Sequence, residues 1–187
     1  MLKCIKLCIT NPLIEVNKVA NPSKPLRLNV GFIINAQIGF SRDFDFDFPL
    51  LIAGDDLTLK DFKGLAKIGR TPQGLLVQGN FSGNARQECV RCLSEYDQFL
   101  EWEFIELYAF DRKSVTESGL IVPEDAHIDL QPLVREFALL EFPIKPLCKP
   151  DCKGLCIVCG EDLNEHDCGH RPDNNSPFAA LKQLLDK

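Results

Sequence analysis

A formal net charge of −6 over 187 residues argues against a protein that coats nucleic acid by bulk electrostatics. The length suits one domain with a small appendage, and an apolar content of 45% is enough for a sizeable core. No stretch approaches the roughly 20 apolar residues of a membrane span, and the N-terminus MLKCIKLCITNP has too short an apolar run for a signal peptide.

Taken in chain order, residues 1–9 alternate loosely and read as a first strand or an amphipathic turn, with Cys4 and Cys8 as small core residues. Residues 10–30, with Pro12, Pro22 and Pro25 among Asn and Ser, have the composition of a loop. In SRDFDFDFP, Phe44, Phe46 and Phe48 alternate with Asp43, Asp45 and Asp47. This period of two predicts a half-buried strand with an acidic outer face. Residues 50–93 read as an antiparallel meander with turns at 54–56 and 71–74. Phe62, Gly64, Ala66 and Ile68 share one face, and Lys63 and Lys67 the other. Leu75, Val77, Gly79 and Phe81 continue the alternation, which weakens through Gly83 and Ala85. Glycine at two of these positions predicts a bend or bulge. Six basic side chains stand against two acidic ones over residues 57–92, but nine against nineteen over residues 93–187. Lys63, Lys67, Arg70, Arg86 and Arg91 are therefore candidate phosphate contacts, weighed against ordinary solvated side chains.

Cys89-Val90-Arg91-Cys92 falls at a turn, because YDQFLEWEFIELYAF resumes the alternation at once. Tyr96, Leu100, Trp102, Phe104, Tyr108 and Phe110 share one face, and Glu95, Asp97, Glu101 and Glu103 the other. A Cys-x-x-Cys at a hairpin tip is another knuckle geometry, and alone it is half of a metal site. Residues 111–125 read as a polar loop. The period then changes to that of a helix through Leu130, Leu133, Val134, Phe137, Ala138 and Leu140 or Glu141, with Asp129 as N-cap, Pro132 in the first turn and an end before Pro143. His127 reads as a surface residue just outside it. After a linker, FAALKQLLDK reads as a short terminal helix opened by Ser176 and Pro177.

Between the two helices lies CKPDCKGLCIVCGEDLNEHDCGH, residues 148–170, with five of the nine cysteines and two of the three histidines. Cys148, Cys152, Cys156, Cys159, Cys168 and His170 are candidate metal ligands, together with Cys89 and Cys92. Glycine after Cys156-x-x-Cys159 permits the knuckle turn that aims both sulfurs at one ion. Disulfides suit small secreted domains. A redox centre wants its Cys-x-x-Cys at the start of a helix in a βαβ setting. Neither setting is evident, so a structural zinc is the favoured reading. The candidate sets are Cys148, Cys152, Cys156 and Cys159 around one ion, or Cys156, Cys159, Cys168 and His170, with a second ion where Cys89 and Cys92 join Cys148 and Cys152. One ion, with Cys156 and Cys159 as its surest ligands, is the preferred scheme. The overall expectation is an α+β fold: an antiparallel meander packed by one helix over residues 1–145, and a cysteine-rich zinc-knuckle appendage with the terminal helix over 146–187. Four protein ligands leave no open position for water, which favours structure over catalysis. No HExxH or paired-carboxylate motif supports a metal-dependent nuclease. A thiol redox or zinc-sensing switch is the alternative.

ECVRCLSEYDQFLEWEFIELY and FPIKPLCKPDCKGLCIVCGEDLNEHDCGH together resemble the YceD family of large-subunit ribosomal RNA accumulation proteins, in its cysteine-rich form. The likeness runs over roughly residues 40–170 and is strongest at 88–108 and 142–170. The expected pattern ends Cys-x-Cys where this chain has Cys168-Gly169-His170, and histidine can replace cysteine as a zinc ligand. The resemblance implies a cytoplasmic, non-enzymatic factor in the making or stability of large-subunit ribosomal RNA. Its partner would be an rRNA precursor or a large-subunit ribosomal protein, with no membrane and no small-molecule substrate.

Overall fold

A computed structural model describes residues 24–171. The strand expected at residues 1–9, with Cys4 and Cys8, and the terminal helix expected at residues 178–187 lie outside them. The chain forms a four-stranded antiparallel sheet in the order β2-β3-β4-β5, from strands Ser41–Ile52, Thr58–Arg70, Gly74–Glu88 and Glu95–Ala109. Each strand follows its predecessor by a short turn, as the alternating sequence predicts. One face is apolar: Phe46, Phe62, Ala66, Ile68, Val77, Phe81, Leu100, Trp102 and Phe104 are all buried. Rings run across this face from strand to strand. Phe81 stacks on Phe62 at 5.5 Å and Phe104 at 5.7 Å, and Phe104 meets Phe137 at 5.0 Å. Gly64 and Gly79 are small because Phe81 needs the room. A Cβ added to either would come within 2.1 and 2.5 Å of its ring.

The apolar face is covered by α2 (Gln131–Leu140), by a single helical turn α1 (Gly31–Ile34), and by a two-stranded ribbon pairing β1 (Arg27–Asn29) with β6 (His127–Asp129). The loop composition of residues 10–30, and the reading of His127 as a surface residue and Asp129 as an N-cap, conceal this ribbon. Its three-residue strands are too short to show a period, and Leu28 pairs with Ile128 a hundred residues away. His127 is accordingly a half-buried strand residue. Asp129 lies outside α2, whose N-cap is Leu130, and its Oδ1 accepts the Gln131 N–H at 3.0 Å. Leu140, expected on the buried stripe, is 72% exposed.

The expected bulge is present, but on β3. Lys60 pairs with Asn84 and Lys63 with Ser82, so β3 spends one extra residue. Asp61 takes a positive φ of 49°. Leu59 and Phe62, three apart, thereby both point inward. The alternation through β4 is uninterrupted, and its pairing with β5 runs without a shift from Gly74 to Glu88.

Candidate metal centre

The β4–β5 turn and the segment after α2 meet at one end of the sheet. There Cys89, Cys92 and Cys152 form a small buried cluster of their own, packed by Tyr96, Leu147, Cys148 and Leu155. Backbone bonds fasten the two segments: Val90 N–H to Pro146 O at 3.0 Å, and Leu155 N–H to Arg91 O at 3.0 Å.

The eight candidate ligands fall into two sets of four. Cys89, Cys92, Cys148 and Cys152 form the first, and Cys156, Cys159, Cys168 and His170 the second. Within each, the donor atoms all lie within 4.8 Å of one another. These are the two sets of the alternative scheme, Cys89 and Cys92 joining Cys148 and Cys152, and the compact grouping of Cys148, Cys152, Cys156 and Cys159 does not occur. Those four cysteines are divided between the sets, because residues 153–155 run back along Arg91 instead of turning in place.

Each set is built on the same knuckle. In the first, Leu93 N–H donates to Cys89 O at 2.9 Å and Cys89 N–H to Ser94 O at 2.9 Å. In the second, Gly160 N–H donates to Cys156 O at 2.8 Å and Cys156 N–H to Glu161 O at 2.8 Å. The residue after the second cysteine takes a positive φ in both, 60° at Leu93 and 76° at Gly160. Sequence reading recognises the second knuckle by its glycine. It recognises the first from its place at a hairpin tip, although leucine occupies the place that glycine takes in the second.

This turn aims backbone N–H groups at the first sulfur. The Cys89 thiol is buried, which pushes its pKa up, but N–H groups of Cys148, Cys92 and Arg91 outweigh the burial and bring it down to about 6. N–H groups of Cys159 and Val158 likewise lower Cys156 to about 6. Ser94, whose Oγ lies 3.0 Å from Cys92 Sγ, holds that thiol low as well. Cys148 goes the other way, to about 12, through burial and the neighbouring Cys92 and Cys152 sulfurs. The four donor atoms of each set are gathered closely enough to hold a cation.

The distances fit one. A tetrahedral ion with sulfurs about 2.3 Å away has edges of about 3.8 Å. Cys89 Sγ lies 3.8 Å from Cys152 Sγ, and Cys92 Sγ 3.6 Å from Cys148 Sγ. These separations are far beyond the roughly 2.05 Å of a disulfide. The first set is almost wholly buried, whereas Cys159 and His170 of the second are exposed. His166, in the same loop, belongs to neither set.

The five candidate phosphate contacts do not gather into one patch. Lys63 and Lys67 lie on the open face of the sheet, but Asp47 and Asp43 stand directly opposite them on β2. Glu101 and Glu103 follow on β5, beyond β4. Arg70 is half-buried at the far end of the sheet, 4.5 Å over the Phe110 ring, with Nε donating to Ala36 O at 3.2 Å. Arg86 is paired with Glu95, Nε to Oε2 at 2.9 Å. Arg91 belongs to the cysteine cluster, where Nη1 donates to Cys152 O at 2.7 Å. No described helix is long and apolar enough to cross a membrane.

Residues 77–185 match the family model described as Large ribosomal RNA subunit accumulation protein YceD. Uncharacterized proteins of Mycobacterium bovis and Mycobacterium tuberculosis are each 33% identical over 142 residues, 72% of this chain and 66% of theirs. An Arabidopsis thaliana protein named Large ribosomal RNA subunit accumulation protein YCED homolog 1, chloroplastic, is 34% identical over 107 residues, 56% of this chain and 29% of that one. The chain thus matches just under two thirds of the mycobacterial relatives' length and under a third of the plant relative's. No solved structure matches it. The family model covers more than half of the chain and takes in every donor of both sets, and the chain belongs to the YceD family of large ribosomal RNA subunit accumulation proteins.

Proposed function

We propose that this protein is a non-enzymatic factor in large-subunit ribosomal RNA accumulation whose two cysteine sets each hold a structural zinc. The observation that carries the reading is the sorting of eight donors into two closed sets of four, on matching knuckles, in a chain of this family. Sulfur-rich donors select zinc over magnesium or calcium. Four protein ligands leave no position for a reacting water.

Large-subunit ribosomal protein is the partner the electrostatics favour over bare RNA. Three aspartates of β2 and two glutamates of β5 flank Lys63 and Lys67 on the open sheet face, and the chain carries a net charge of −6. Phosphate contacts would need an excess of positive charge there.

The test is affinity purification from cells under reducing conditions, with metal and associated large-subunit components measured together. The expected result is two zinc ions per chain and co-purification of large-subunit particles, which survives the double change Lys63→Glu, Lys67→Glu. A protein free of zinc and of ribosomal material would overturn the reading. Loss of association on the double change alone would move the contact to RNA. The exposure of Cys159 and His170 supports a second reading, a zinc or thiol sensor at the second set. Zinc loss with disulfide formation at mild potentials would favour it.

A further inference from the structure

The two donor sets are joined by more than the chain between Cys152 and Cys156. Asn164 belongs to the loop of the second set, between Cys159 and Cys168. Its Nδ2 nevertheless reaches Cys152 Sγ of the first set at 3.4 Å. Its Oδ1 accepts the Lys153 N–H at 2.9 Å, one residue beyond that cysteine. Asp162 holds the side chain in this pose, Oδ1 accepting from Asn164 Nδ2 at 2.7 Å and from its backbone N–H at 2.8 Å. The two strands of the link are locked by Leu163 N–H to Gly154 O at 2.9 Å. Gly154 has no room for a side chain, since a Cβ there would lie 2.9 Å from Arg91 O.

The first set needs that donor more than the second does. Four thiolates on a divalent ion leave two net negative charges in a buried place, whereas three thiolates and a neutral histidine leave one in contact with water. N–H and O–H donors to sulfur offset such charge. Ser94 serves Cys92 in this way and Asn164 serves Cys152. Asn164 is delivered by the 160–167 loop, whose two ends are gathered by Cys156 and Cys159 on one side and by Cys168 and His170 on the other.

We propose that Asn164 is a positioning residue that couples the two sets, so that metal in the second set strengthens binding in the first. The proposal rests on the reading that both sets take metal. By linkage the coupling is reciprocal.

A double-mutant cycle on the full chain tests it. Zinc affinity of the first set is measured by chelator competition in the wild type, in Asn164→Ala, in Cys168→Ser/His170→Ala with the second set disabled, and in the combination. Native mass spectrometry counts the ions bound. Each change should weaken the first set by about 10- to 100-fold, the usual effect of losing an outer-shell partner. The combination should cost no more than the larger single change. With cobalt(II) in place of zinc, the thiolate-to-metal charge-transfer band should move to longer wavelength in Asn164→Ala. Asn164→Asp keeps the acceptor for Lys153 and loses the N–H, so it should show the same shift in a folded protein. First-set affinity indifferent to the second set, losses that simply multiply, or an unmoved band in Asn164→Asp would overturn the coupling while leaving two metal sites intact. A chain that takes up no metal would overturn both readings.

Discussion

Leu93 shows how a residue can stand in for another without resembling it. It occupies the left-handed position that Gly160 fills in the second knuckle, and its side chain is 57% exposed. The strain of a non-glycine residue there is about 1–2 kcal/mol. Leu93→Gly should therefore leave stability within about 0.5 kcal/mol of wild type, the relief offset by the freedom glycine gains in the unfolded chain. Gly160→Val should cost about 1–2 kcal/mol in the same urea titration. Tyr108 gives the fold a signature at high pH. Burial, followed by the carboxylates of Asp129 and Glu106, pushes its phenol up to about 12 from an ordinary 10. A raised pKa favours the protonated form in the folded state, so this contribution is complete below pH 10 and is lost as pH climbs toward 12. The loss should be about 2 kcal/mol, and Tyr108→Phe should remove it, as read by denaturation at pH 9 and pH 11.5.

The strands illustrate which elements a sequence announces. Wherever one face of a long strand is buried, the alternation is explicit: Phe46, Phe62, Val77 and Trp102 all point where their period places them. The bulge was legible only as a weakening of pattern, and two glycines drew attention to β4 although β3 carries it. Gly79 makes room for the Phe81 and Phe104 rings, a Cβ at Gly83 would meet only ordinary contacts, and the extra residue is Asp61, which tolerates a positive φ. Asp61→Val should cost about 1–2 kcal/mol in urea denaturation, whereas Asp61→Gly should be nearly neutral. The candidate site was legible as a set of ligands and, among the groupings weighed, as these two sets of four, but spacing alone did not choose that grouping over a single ion. Spacing along the chain joins Cys152 to Cys156, while the backbone bonds of Leu155 and Val90 assign Cys152 to a turn sixty-three residues away. The β1–β6 ribbon, short and long-range, left no local trace.

At the scale of the whole molecule, two cores of different kinds share one sheet. The aromatic core is continuous from β2 to α2, and the cysteine cluster stands apart from it at the β4–β5 turn. Chelation under reducing conditions should therefore raise hydrogen exchange at residues 89–94 and 146–171 while amides of β3 and β4 stay protected. Uniform exposure of the whole chain would show that the two cores unfold as one. The hairpin between them has a further consequence. Two paired strands of 15 residues each extend for about 45–50 Å. The cysteine tip and the opposite rim, where Gly39 and Phe40 meet Arg70, are thus held apart as by a ruler. A partner gripping one end and a partner gripping the other would be kept at a fixed interval without touching.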